Sequence, residues 1–331
     1  MAVLYVDTPG TVVGKQGDTV TLRNDSVTAS SVPFCHVDQV LLVGNVQVSS
    51  QALASFLKQG ISVSYLSGTG AFRGKLTPPA HKNVFLRLGQ YQKYHDPEFR
   101  MSMSRLITWS KMKNCQELIH KHQRTHPEVE LRHECEEIKL QMAHVWRAES
   151  LDVLMGYEGN GARHYFTAFG KMVRKSEFPF TGRNRRPPRD DVNALLSLGY
   201  TLLYNEFLAA VEAIGFDPYL GFFHEVHYSH AALASDLMEE FRFLVDSLVL
   251  ASINRGVLTP DDFTASPDGE GRYLTSPGRK KFYPAYEQKM QTEVAYRGTN
   301  VSYRRVFHHQ AEHLARVVRG EEYLYEPYLT K

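Results

Sequence analysis

The sequence predicts an α+β protein, with a mostly-β N-terminal domain over residues 1–80 and a larger all-α domain over residues 81–331. Two changes of texture carry that expectation. Short β-rich runs separated by turn formers fill the chain up to Pro78-Pro79, and apolar residues at helical spacing dominate from Asn83 onward. Leu4-Tyr5-Val6 and Thr11-Val12-Val13 are strand-like, and Lys15-Gln16-Gly17-Asp18 turns into Thr19-Val20-Thr21-Leu22 as a hairpin. Ser49 to Lys58 reads as a short helix with a serine cap and Gly60 just past its end, between the β-rich runs Val37 to Val43 and Ile61 to Leu66. Ser67-Gly68-Thr69-Gly70 is a turn before another short strand. Beyond Asn83, Leu195, Leu198, Leu202 and Leu203 lie at helical spacing. So do Leu233, Leu237, Phe241, Leu244 and Leu248, on a helix that begins near Ala231. Turn formers fill Pro260 to Gly271, and no internal repeat is present.

Bulk composition narrows the class. An apolar fraction of 43% over 331 residues suits a folded core. The net charge is only +2, so a nucleic-acid surface has to come from local segregation of charge. Such segregation exists. Glu128 to Glu158 holds eight acids and three bases, whereas Arg163 to Arg189 holds eight bases and one acid. Cys35, Cys115 and Cys135 are odd in number and widely spaced, which argues against a disulfide framework or zinc ribbon and fits a reducing compartment. The start lacks a basic segment followed by an apolar one, and no run of 18 apolar residues occurs. A cytoplasmic protein without a membrane span is expected.

Three separated segments offer metal-ligating side chains. Glu158 sits in Gly156-Tyr157-Glu158-Gly159, where flanking glycines permit close approach of a ligand; alone it also reads as a turn glutamate. His224 follows the apolar Gly221-Phe222-Phe223. His224 and His227 are three apart rather than four, which rejects a zinc-peptidase pair and leaves His227 and His230 as loop or surface groups. Asp236 lies three residues before Glu239 and four before Glu240, so it shares a helix edge with either; alone this is an acidic first helical turn. Carboxylates with one imidazole suit a hard divalent cation. Arg183, Arg185, Arg186 and Arg189 crowd a loop stiffened by Pro187-Pro188, an arrangement suited to phosphate. Asp190-Asp191 then reads as a helix cap, with Asp190 placed to pair an arginine. His120, His122, His126, His133 and Cys135 match no zinc-finger spacing and read as a polar helix-loop-helix face.

Taken together, these blocks resemble the CRISPR-associated integrase family, the nuclease of spacer acquisition. The resemblance rests on Gly156-Tyr157-Glu158-Gly159 with Arg163, Tyr165 and Phe166. It rests equally on Arg183-Asn184-Arg185-Arg186-Pro187-Pro188 leading into Asp191 and Asn193 to Ser197, and on Gly221-Phe222-Phe223-His224 and Asp236 to Arg242. It implies a Mg²⁺ or Mn²⁺ site made by Glu158, His224 and Glu239, with Asp236 as a nearby supporting acid, and so favours Glu239 over Glu240. A homodimer formed partly through the β domains, DNA fragments and the CRISPR repeat as substrates, and a small second adaptation protein bridging two dimers are implied as well. The loop carrying His227, Tyr228 and His230 departs from the glycine and proline of many relatives.

The expected chemistry is metal-assisted phosphoryl transfer with a DNA 3′-hydroxyl as nucleophile, or water in hydrolysis. Arg163, Arg183, Arg185, Arg186 and Arg242 are candidate phosphate contacts. Two alternatives stay open: a metal-dependent nuclease acting on branched DNA in repair, and a non-catalytic DNA-binding scaffold.

Overall fold

The computed structural model describes residues 3–24, 27–78, 83–184, 187–228, 230–266 and 269–330. Its N-terminal part comprises β1 (Val3–Val6), β2 (Val12–Gln16), β3 (Thr19–Asn24), β4 (Val27–Pro33), β5 (Gln39–Val43), β6 (Gln47–Val48), α1 (Ser50–Lys58), β7 (Ser62–Leu66) and β8 (Phe72–Leu76). One sheet has the order β4-β3-β2-β6, built on the β2–β3 hairpin. In the other, ordered β1-β5-β7-β8, the first three strands run parallel and β8 antiparallel. Parallel neighbours need a crossover, and α1 supplies it between β5 and β7. Ser49 Oγ accepts the Ala52 N–H at 3.2 Å to start α1, and Gly60, at φ +77°, leads the chain out of it.

Strand β5 is buried along its whole length. Val40 and Leu42 face one hydrophobic cluster with Val13, Val20, Phe34 and Phe56. Leu41 and Val43 face a second cluster that continues into the helices. Because strand side chains alternate, this sheet is a wall with both faces covered.

The helical part contains α2 (Val84–Tyr94), α3 (Pro97–Thr125), α4 (Arg132–Val145), α5 (Leu151–Met172), α6 (Asp191–Ile214), α7 (Ala232–Glu239), α8 (Arg242–Asn254), α9 (Ser276–Gln291) and α10 (Tyr303–Val318). Asp96, Ser150 and Asp190 cap α3, α5 and α6 through their side-chain oxygens. A Cβ on Gly199 would stand 2.5 Å from Val245 Cγ1, so glycine at this point of α6 lets it lie against α8. By length and composition α6 passes as a membrane-spanning helix, yet 78% of that stretch is buried inside the fold. Its apolar character belongs to the core.

The fold is mixed α and β, as expected, but the second part is not all helix. Two antiparallel hairpins interrupt it: β9 (Phe263–Ala265) with β10 (Arg272–Leu274), and β11 (Glu293–Tyr296) with β12 (Thr299–Ser302). The first ties down the diproline loop, since the Arg272 N–H donates to the Pro188 carbonyl at 2.7 Å and its guanidinium pairs with Asp191 at 2.6 Å.

The single helix expected from Ala231 onward is also broken, between α7 and α8. Asn114 Nδ2 donates to the Glu240 carbonyl at 2.8 Å, drawing it into tertiary bonding. The Glu240 carboxylate points the same way, accepting Tyr325 Oη–H at 2.6 Å, the Tyr328 N–H at 2.7 Å and Gln310 Nε2 at 3.0 Å. Leu233, Leu237, Phe241, Leu244 and Leu248 nonetheless stay buried, as their spacing required.

Candidate active site

Glu158 projects from the middle of α5, so its segment is helix and not the glycine turn that its flanking residues suggested. Neither Gly156 nor Gly159 would place a Cβ within 4 Å of anything, which leaves the helix surface around Glu158 bare. His224 lies just after Gly221, and Asp236 and Glu239 lie one turn apart on α7. The segments meet. A cleft of about 930 Å³ is lined by Glu158, His224 and Glu239 together with Lys111, Arg183, Tyr200 and Arg242.

Asp236 is fully buried and faces away from the cleft. Its carboxylate accepts the backbone N–H groups of Phe222 at 2.5 Å, Phe223 at 3.0 Å and His224 at 2.9 Å, and His224 Nδ1 lies 2.7 Å from Oδ1. With Nδ1–H donating to Asp236, the His224 Nε2 lone pair turns toward Glu239, whose Oε1 is 3.9 Å away. Burial alone would lower the His224 pKa, but the bond to Asp236 and the Asp236 and Glu239 charges raise it overall. A Cβ on Gly221 would stand 2.7 Å from Asp236 Oδ2 and 2.8 Å from the Ala232 backbone, so this glycine makes room for the carboxylate.

Glu239 is 3% exposed and carries two cationic neighbours. Arg242 Nη1 donates to Oε1 at 3.0 Å, and Lys111 Nζ stands 2.5 Å from Oε2. Burial opposes its ionisation, yet Arg242, Lys111 and His224 hold the carboxyl far below the usual carboxylate range. The same Lys111 Nζ is 2.5 Å from Glu158 Oε1. For Lys111, burial lowers the pKa, and Glu158 and Glu239 more than reverse it. Lys111 is the cleft residue that sequence reasoning missed. A signal for it exists: Met103, Ile107, Cys115 and Ile119 are buried at four-residue spacing on α3, and Lys111 is the charged member of that stripe.

The arginines divide. Arg183 lines the cleft, its Nη1 donating to Asn193 Oδ1 at 2.8 Å and its Nη2 to Ser197 Oγ at 3.1 Å. Arg242 lies over the Tyr200 ring, 4.0 Å from its centroid. Tyr200 and Tyr165 both donate their hydroxyls to the buried Asp246 beneath. Arg163 does not join them: it is exposed on α5, five residues or roughly 140° around the helix from Glu158, and bonds Asn160 at 2.7 Å. Arg185 and Arg186 lie outside the described residues. Among the described residues Asp190 pairs with no arginine: its oxygens take Asn193 N–H at 2.8 Å, Asn193 Nδ2 at 2.7 Å and Asn184 Nδ2 at 3.2 Å. His230 lines the cleft, its ring 5.9 Å from that of His224, whereas His227 stays exposed beside Glu225.

Residues 4–288 match the family model described as CRISPR associated protein Cas1. The chain belongs to the Cas1 family. It is 38% identical to the CRISPR-associated exonuclease Cas4/endonuclease Cas1 fusion of Geobacter sulfurreducens over 99% of this chain, and spans 60% of that longer protein. It is 33% identical to CRISPR-associated endonuclease Cas1 1 of Moorella thermoacetica, covering 98% of this chain and 97% of the relative. Among solved structures, a Cas1 protein from Thermotoga maritima aligns with a TM-score of 0.86 at 25% identity, over 99% of this chain and all of that one. A casposase bound to integration product shares the fold, with a TM-score of 0.89 at 23% identity, over 98% of this chain and 93% of that one. Its curated relatives of the Cas1 family are named as endonucleases.

The donor set of this Cas1 cleft fits a hard divalent cation in type: two carboxylates and an imidazole whose far nitrogen is already held. Glu239 Oε2 is buried and has no hydrogen bond of good geometry, only the ion pair to Lys111. Among the described residues, however, no three acidic, histidine or cysteine side chains stand in preformed metal-ligating geometry. Lys111 stands between the two carboxylates.

Proposed function

We propose that this protein is a Mg²⁺- or Mn²⁺-dependent DNA endonuclease and integrase that inserts short DNA fragments into a CRISPR array. The observation that carries the reading is the meeting of Glu158, His224 and Glu239, from three distant segments, in one cleft that Arg183 also lines. Held by those three side chains, a divalent ion would polarise the scissile phosphate and stabilise charge on the leaving oxygen. Asp236 fixes the His224 ring through Nδ1 and leaves Nε2 for a ligand. Arg242 offsets the Glu239 charge and holds its orientation. Arg183 stands where a DNA phosphate can be bound without reading sequence. The nucleophile is a DNA 3′-hydroxyl in integration and water in hydrolysis, so no protein nucleophile is required.

Residues 1–80 are proposed as the β domain of a homodimer and residues 81–331 as the catalytic domain, in a cytoplasmic protein. A small second adaptation protein bridging two dimers completes the proposed assembly. The relative described as a Cas6-RT-Cas1–Cas2 complex is in keeping with such an assembly.

The test is strand transfer of a labelled short duplex into a repeat-bearing plasmid, with and without EDTA. Glu158→Ala should abolish joined products while DNA binding persists, and binding of both proteins should weaken steeply with salt. Joined products from Glu158→Ala in Mg²⁺ would sink the assignment. Cut but never joined strands from the wild type would favour hydrolysis alone.

A further inference from the structure

Lys111 has no role in the chemistry given above, yet it occupies the centre of the site. We propose that its side chain is a resident counter-cation that a divalent ion must displace. Metal binding is then an exchange of ammonium for metal on Glu158 and Glu239. This inference rests on the reading that those residues and His224 hold the ion.

One nitrogen bridges the two carboxylates, 2.5 Å from Glu158 Oε1 and 2.5 Å from Glu239 Oε2. Mg²⁺ binds oxygen at about 2.0–2.1 Å, so metal and ammonium compete for nearly the same point between the same two atoms. Screening does not relieve the conflict, because the Lys111 and Glu239 side chains are 13% and 3% exposed. Arg242 also neutralises Glu239, but its guanidinium is held over the Tyr200 ring. Lys111 instead carries its charge on a flexible four-carbon stem that lines the open cleft, so it is the cation able to leave. Helix packing does not call for lysine here, since the other members of the α3 stripe are Met103, Ile107, Cys115 and Ile119. The two carboxylates account for it.

The experiment titrates the full-length protein with Mn²⁺, following binding by calorimetry and by the Mn²⁺ electron-spin signal. Lys111→Met and Lys111→Gln remove the competitor and should lower the Mn²⁺ Kd at least about tenfold. Their metal-free melting temperatures should fall, and the rise on adding Mn²⁺ should grow. Lys111→Arg keeps the charge, and Lys113→Met removes a charge paired outside the cleft with Glu117; both should stay within about threefold of wild type. In the unmodified protein, Mn²⁺ should increase acetylation of Lys111 relative to the other lysines, read by mass spectrometry. A folded Lys111→Met or Lys111→Gln that binds Mn²⁺ no tighter than wild type overturns the proposal. So does unchanged Lys111 labelling on metal addition. If Glu158→Ala and His224→Ala leave Mn²⁺ binding unaltered, the metal-site reading itself fails. If they abolish it while the Lys111 variants do not tighten it, only the exchange fails.

Discussion

Four donors converge on Asp236, three of them backbone N–H groups and the fourth the His224 ring. This carboxylate shapes the Phe222–His224 segment and presents the imidazole. Asp236→Asn should therefore reduce strand transfer about 10–100-fold and weaken Mn²⁺ binding while DNA affinity persists. Full activity and unchanged Mn²⁺ affinity in that variant would remove Asp236 from the site. Spacing on a helix left Glu239 and Glu240 equivalent as partners of Asp236, and family resemblance preferred Glu239. The structure shows the physical difference: Glu239 faces Arg242 and Lys111 in the cleft, and Glu240 faces Tyr325 and Gln310. Lys111 went unread because its neighbours Lys113, Glu117 and Arg124 make that helix look like a solvated one. Its position on an apolar stripe becomes informative only when the opposing carboxylates are known.

The turn between α7 and α8 depends on contacts remote in sequence. Burial raises the Glu240 carboxyl from 4.5 to about 7, against the donors Tyr325, Tyr328 and Gln310 that favour its charged form. A carboxyl raised in this way binds its proton more tightly in the folded protein than in the unfolded chain. Its stabilising share is therefore complete below about pH 4.5 and is lost as pH climbs towards 7. Glu240→Gln carries no such titration. Urea melts of both proteins at several pH values should show wild type losing up to about 3 kcal/mol relative to the variant between acid and neutral pH. A constant difference would refute a titrating Glu240. At this scale the caps were legible, because Ser49 and Asp190 act through their own nearby backbone. The helix break was not, since Asn114 and the segment from Tyr325 to Thr330 cause it from far along the chain.

Across the whole molecule, β5 is shared between two cores. Leu42 belongs to the strand-side cluster and Leu41 to the helical one, so truncating either should cost about 2–5 kcal/mol. With one strand built into both, each variant should still unfold in urea in a single transition by near- and far-ultraviolet circular dichroism. A separate early step in Leu42→Ala alone would show the cores to be independent. The β-then-α order was readable because short alternating runs and longer helical periods differ in texture. The two late hairpins were not, since strands of three or four residues among turn formers leave no period to detect. The C-terminal segment that grips Glu240 has a further consequence, one of timing. A ribosome completes Glu158, His224 and Glu239 well before it reaches Tyr325 and Tyr328. A chain interrupted in that interval would carry every acid and imidazole assigned to the metal, yet lack the segment that fastens the turn beside Glu239.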